Sequence, residues 1–475
     1  MLKTDKTTTV IISVLFLLYL YFGILSRHVF LADDLAKVFE GAHNQKNLFG
    51  FLSDFLSGTN MTSRPISGIV TGIFIYLAKY STYLYYGLYI FFLASIFLVH
   101  KTYLQITKSV AASNIATLVY VLIPIGTSAV FSPIMVNSSL ATIFFCIAVL
   151  CFYKKHRLSV VCSSVFFVLS FLSYEIFAPC IILFVFLKNG WKRKLTFLAA
   201  TLLLILFYKK IVEPSIFKTY YKRESLVSIT DFGRNMQVSV FIAKMFLRDL
   251  PFALYKSILN IKLYSWSDFI VLILFNISSF LIIRKTVFDI EKKDKIWKLI
   301  LPAFLFSLFI FFFSTYKPTL FGFDNRNLGA VRFFGSLLSV IALLNVFSSF
   351  KLKQIWIKIT FSVAILILSI SAVSIKNSWI YANEFNENLF SELKQKLPSQ
   401  LQSNRVFIKY NLDVSKEDHR FILREPIFYN RWESPFLMER SGLKNVNVLL
   451  WDSSVKGSYY LFEQEKGTVK LIIEK

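Results

Sequence analysis

Charge is scarce in this chain, and acid scarcer still. Only 17% of its 475 residues are charged, against roughly a quarter in soluble domains. Acids number 28 and bases 53. Hydrophobic residues make up 55%, and the mean hydropathy is +0.58. A solvated globular surface over most of the length is therefore excluded. Cysteine is equally thin. Cys146, Cys151, Cys162 and Cys180 lie in or beside apolar runs, and none falls in the last hundred residues, which excludes an internal disulfide there. No zinc or haem spacing, internal repeat or low-complexity tract occurs. A signal-peptidase site is missing too. Lys3 and Lys6 precede an apolar core, but Ser26-Arg27-His28 follows it, so an uncleaved signal anchor is expected.

What the chain has instead is apolar runs long enough to cross a bilayer, which takes about 20 residues. Val10–Leu25 is the first. Tyr83–Val99, Val110–Ile125, Ser138–Tyr153, Leu158–Tyr174, Ile176–Leu187, Leu195–Val212, Asp268–Ile283, Leu299–Tyr316, Gly329–Phe350 and Ile359–Ile375 follow. Pro65–Ala78 is short and contains glycine; it is read as re-entrant or as one bent crossing with Tyr83–Val99. The basic residues support that choice. From Lys376 onward there are 15 Lys+Arg and 13 Asp+Glu, leaving 38 and 15 before it. Much of the surplus sits in short loops such as Lys154-Lys155-His156-Arg157. That is positive-inside patterning, not a nucleic-acid groove. A third early crossing would put this loop outside. The expected architecture is an α-helical polytopic membrane protein of about 11 crossings, with a cytoplasmic N-terminus and an outer C-terminus. Residues 1–376 form the membrane part. Residues 377–475 form a small α/β domain, with strands at Val406–Tyr410, Val446–Leu450, Tyr459–Phe462 and Val469–Ile473, a turn at Lys466-Gly467, and a surface helix through Trp379, Ala382, Leu389 and Leu393.

This topology gathers polar residues on one face. The first outer loop, 27–64, holds Asp33, Asp34, Glu40, His43, Asp54 and Arg64, with two helix-like pieces, Asp33 to Phe39 and Phe49 to Leu56. Leu48, Phe49, Leu52, Phe55 and Leu56 fall on one side of the second piece, as in a helix lying on a membrane. Glu175 breaks two spans. Lys317 and Arg326 flank a later outer loop, and Arg332 lies one step inside it. A carboxylate can take a proton from an attacking hydroxyl, and Arg and Lys can hold a phosphate, so the set suits a lipid-phosphate substrate. Each residue also has an ordinary reading. Asp33 and Asp34 can cap a helix, Glu40 can face solvent, and Arg64 can anchor beside a helix-starting proline. Glu175 can mark a turn, and Lys317, Arg326 and Arg332 can meet lipid headgroups. Trp266 and Trp432 are candidates for stacking on a sugar ring.

One span, then Leu31-Ala32-Asp33-Asp34-Leu35, then Arg64-Pro65-Ile66 opening the next apolar piece, resembles the serotype-converting O-antigen glucosyltransferases (Gtr, glucosyltransferase type II-like), within the GT-C class of membrane glycosyltransferases. The motifs lie in the first hundred residues; the rest matches in layout. The resemblance implies transfer of glucose from undecaprenyl-phosphate-glucose to O-antigen polysaccharide or lipid-linked repeats, at the periplasmic side of a bacterial inner membrane. It implies Asp33 or Asp34 as the base, with Glu40 as a second candidate. It also implies cooperation with a donor-synthesising glucosyltransferase and a donor flippase. No cofactor is expected beyond the lipid-linked sugar donor as substrate; metal dependence varies across that class, and the residues show no metal cage. The rival readings are another polyprenyl-phosphate-sugar transferase, a lipid-linked glycan flippase and an O-antigen polymerase. Acids at span edges rather than mid-bilayer disfavour transport.

Overall fold

The computed structural model describes residues 7–474 apart from 59, 157, 188–189, 217–230, 289–293, 315, 398–404, 411–419, 424–432, 444–445, 452–455 and 466–467. The expected Lys466-Gly467 turn and Trp432 lie outside the described residues. Eight of the described helices are long and apolar enough to cross a membrane: Thr8–Ser26 (α1), Thr82–Thr107 (α5), Pro133–Tyr153 (α7), Trp191–Ile216 (α10), Trp266–Lys285 (α12), Ile296–Phe313 (α13), Asp324–Ser349 (α14) and Gln354–Lys396 (α15). Between them lie Asp33–Ala42 (α2) and the shorter apolar helices Leu48–Gly58 (α3), Pro65–Leu77 (α4), Val110–Leu122 (α6), Leu158–Ser173 (α8) and Glu175–Phe186 (α9). Another helix, α11, covers 232–259 with one wide turn at Met245–Asp249. The chain is a helical polytopic membrane protein. In lipid the backbone must satisfy its own hydrogen bonds, which a helix does within a single segment.

The ambiguous piece, α4, does not carry the chain to the far end of the bundle. Arg64, just before it, meets Glu175. Tyr83 and Tyr85, just after it, meet His28 and Asp34. Both flanks of α4 thus sit at the end where α1 finishes. Helix α3 packs on α4 through leucines set onto glycines: a Cβ at Gly68 would lie 2.7 Å from Leu56, and one at Gly72 would lie 2.6 Å from Leu52. This seat turns Phe51 and Phe55 inward and leaves Phe49 83% exposed. The apolar face expected for α3 is therefore rotated, because α4 rather than lipid covers it. Helix α2 approaches α4 more closely still, since a Cβ at Gly41 would stand 2.1 Å from the Ile75 carbonyl oxygen. Gly41→Ala is expected to force α2 off α4, with a severalfold loss of folded protein from membranes in fluorescence-detected gel filtration. A wild-type profile for this variant would show that the two backbones are not so close.

Near the C-terminus, Arg405–Tyr410 (β1), Asn447–Leu450 (β2), Tyr460–Glu465 (β3) and Thr468–Glu474 (β4) form one sheet in the order β2-β1-β3-β4. β1 runs parallel to β2 and β3, and β4 closes the edge antiparallel to β3. Helix α16, Glu433–Arg440, fastens to the sheet through Ser434 Oγ donating to the Val448 carbonyl. It also lies against α2: the Phe436 and Phe39 rings are 5.7 Å apart, and Glu439 meets His43 at 3.1 Å. The change of composition at 376 is not a structural break. Helix α15 runs through it, and Trp379, Ala382, Leu389 and Leu393 are buried in contact with the main core rather than lying on a surface.

Candidate functional site

Asp33 and Asp34 open α2 behind an unusual backbone. Ala32 has φ 54° and ψ −129° and is fully buried. A non-glycine residue there costs of order 1–3 kcal/mol, a strain held in place by the packing around it. The turn sends the two acids in different directions. Asp34 is 1% exposed and accepts three hydrogen bonds, from Tyr85 Oη (2.8 Å), Ser132 Oγ (2.5 Å) and the Ile134 backbone N–H (2.8 Å). It fastens α2 to the start of α7. Asp33 keeps a partly open side chain, 26% exposed, and accepts from Arg326 Nη1 at 3.0 Å across 293 residues of sequence.

Burial raises the Asp34 carboxyl from 3.8 to about 7. The hydrogen bonds from Ser132, Ile134 and Tyr85 oppose that shift, and the charge of Asp33 adds to it. The folded protein therefore binds a proton that the unfolded chain has lost between about pH 4 and 7. Stability falls as pH rises through this window, by about 4 kcal/mol in total, and the loss is complete above the folded value. Asn fits the same three partners, because its carbonyl oxygen accepts from Tyr85 and Ile134 and its amide can donate to the Ser132 hydroxyl. Asp34→Asn is expected to assemble and to unfold with a flatter pH dependence between pH 5 and 7.5 than wild type. Parallel thermal-unfolding curves for the two proteins across that range would remove Asp34 as the source.

A second cluster lies at the same end. Arg64 grips Glu175 with two parallel bonds, Nε to Oε2 and Nη2 to Oε1, both 2.7 Å. Its Nη2 also donates to Tyr316 Oη at 3.2 Å, and its guanidinium lies 4.2 Å from the centre of the Tyr174 ring. Tyr174 in turn donates to Asn327, beside Arg326. The loop carrying Arg326 is clamped by buried Asn325, which accepts from the Ser128 N–H and donates to Thr127 Oγ1 and the Leu320 carbonyl. Gly126, at φ +67°, allows Leu328 to approach. Residues 33, 64, 175 and 326 therefore share one neighbourhood, linked through Tyr174, Tyr316 and Asn327. Sequence reasoning passed over these three. The tyrosines directly adjoin Glu175 and Lys317, which was their one local signal.

Three expected site residues and one aromatic candidate stand elsewhere. Arg332 is not beside a substrate: it is 2% exposed and donates to the carbonyls of Tyr120 (2.6 Å), Val121 (2.7 Å) and Ile125 (3.1 Å). It satisfies the open carbonyls where α6 ends, a demand every helix terminus makes. Lys317 is exposed on its loop. Glu40 lies two turns along α2 from Asp33 and pairs with Lys37 at 2.5 Å. Trp266 is 85% exposed at the start of α12. Among the described residues, no group of three His, Cys, Asp or Glu side chains is placed to hold a metal ion. No family model, curated protein or solved structure matches the chain.

Proposed function

We propose that this protein is a membrane glycosyltransferase that moves glucose from undecaprenyl-phosphate-glucose to O-antigen repeats at the periplasmic face of a bacterial inner membrane. The single observation that carries the reading is Asp33, a partly open carboxylate held by Arg326 at 3.0 Å at the end of a helical bundle. Asp33 takes the proton of an acceptor hydroxyl, and that oxygen bonds to the anomeric carbon. The bond from that carbon to the lipid-phosphate oxygen breaks, and the phosphate leaves with the electron pair. One displacement by one base inverts the anomeric centre. Arg326, and Arg64 within the neighbouring cluster, would face the growing phosphate charge, where fixed cations act most strongly.

The orientation follows from charge. Lys108, Lys154 and Arg193 gather at the opposite end of α7 and α8, where Arg193 donates to the Lys154 carbonyl and Lys108 lies over the Tyr153 ring. Positive-inside placement makes that end cytoplasmic and the acid end periplasmic. If the shorter helices α6, α8 and α9 cross as well as the eight long ones, the proposed topology has about eleven crossings, a GT-C-like frame with an outer α/β domain. Asp33 at a span edge, rather than a charge at mid-bilayer, favours transfer over flipping. Mass spectrometry of the host O-antigen with and without the gene tests the reading. A gain of one hexose per repeat is expected. An unchanged polysaccharide in cells that make the lipid donor would overturn it.

A further inference from the structure

Beyond Asp33 on the same side of α2 lies an open cavity of about 320 Å³, lined among others by Glu40, Asn44, Lys46, Phe51, Asp54 and Phe55. We propose that it is an acceptor subsite, holding a neutral sugar ring of the glycan some way from the hydroxyl that reacts. This rests on the transferase reading and deepens it.

Two phenylalanines, buried to 5% exposure or less, supply an apolar floor. Carboxylates, an amide and an ammonium supply the rim. A pyranose presents an apolar face and a belt of hydroxyls that both donate and accept, which matches this lining. The volume is at the lower end for small-molecule sites, about 300–1,000 Å³, as suits a single ring. Two carboxylates against one lining lysine disfavour an anionic headgroup or phosphate. The rim is also easily opened. Lys46 pairs with Asp54 while both side chains are about 60% exposed, and exposed pairs contribute little, so hydroxyls can exchange with it. Along α2, Asp33 and Glu40 are seven residues apart, which is two turns and about 10.5 Å on one face. Lys37 sits between them, its ammonium 5.1 Å from the Phe55 ring centre. A short oligosaccharide therefore spans from the reacting hydroxyl to the cavity.

The test uses the full chain in lipid nanodiscs and fragments of one, two and three repeats cut from the host surface polysaccharide. Binding is read by saturation-transfer NMR, independently of any transfer. Affinity is expected to rise with fragment length. It should fall at least tenfold for the longer fragments in the Lys46→Ala/Asp54→Ala double variant, which removes only exposed side chains and no net charge. Asp33→Asn should still bind. Equal binding by wild type and the double variant, or no binding by wild type, overturns the subsite. Length-dependent binding lost in the double variant, in a protein that transfers no sugar, upholds the cavity and sinks the transferase. Transfer by wild type with the double variant's binding intact does the reverse.

Discussion

Asp33→Asn is expected to leave the protein in the membrane and, on the proposed transferase reading, to lower glucosyl transfer by about a hundred- to ten-thousand-fold, the range for losing a positioned general base. The substitution keeps shape and removes the proton acceptor. Asp33 is part-exposed and bonds the Arg326 guanidinium, so assembly should survive. The comparison that gives the result meaning is Asp34→Asn. Asp34 is closed to solvent and already accepts three hydrogen bonds, which leaves a substrate hydroxyl no approach. Its elevated proton affinity would suit a base at neutral pH, yet reach comes before affinity in choosing one. Transfer from radiolabelled polyprenyl-phosphate-glucose, normalised to protein by immunoblot, should be near wild type in Asp34→Asn and lost in Asp33→Asn. The reverse order of activities would assign the base to Asp34.

Breaking the Arg64–Glu175 pair should be strongly destabilising. Arg64 is 6% and Glu175 18% exposed at the side chain. Removing one member of such a buried pair costs about 3–5 kcal/mol, because the other charge is left without its partner. Arg64→Met and Glu175→Met should each lower the thermal-unfolding midpoint sharply. The double variant should lose clearly less than the two singles together, with a coupling of roughly 2–3 kcal/mol. Strict additivity would mean that the pair is not formed. Arg64→Lys should recover little, since an ammonium cannot reproduce two parallel bonds and a stacked ring face. Transfer should fall in every one of these variants if the phosphate leaves through this cluster.

Membrane class, the eight long apolar helices and the four late strands were all legible in the residue order. They depend on quantities that add up locally: apolar length, alternation along a strand, and Lys and Arg beside span ends. The polar candidates were legible too, since a charge between apolar runs stands out whatever it does. Their roles were not. Arg326 and Arg332 look alike in the sequence, six residues apart. One meets a carboxylate 293 residues away, while the other closes the end of a helix more than 200 residues upstream. Asp33 and Asp34 are adjacent and identical, and only the turn at Ala32, packed between elements, makes one open and the other enclosed. Whether α4 crosses likewise depended on what Arg64 and Tyr83 touch at its two flanks. Hydrophobicity is a property of a segment and survives in isolation. Partnership and burial belong to pairs brought together by packing, and no window along the chain contains both members.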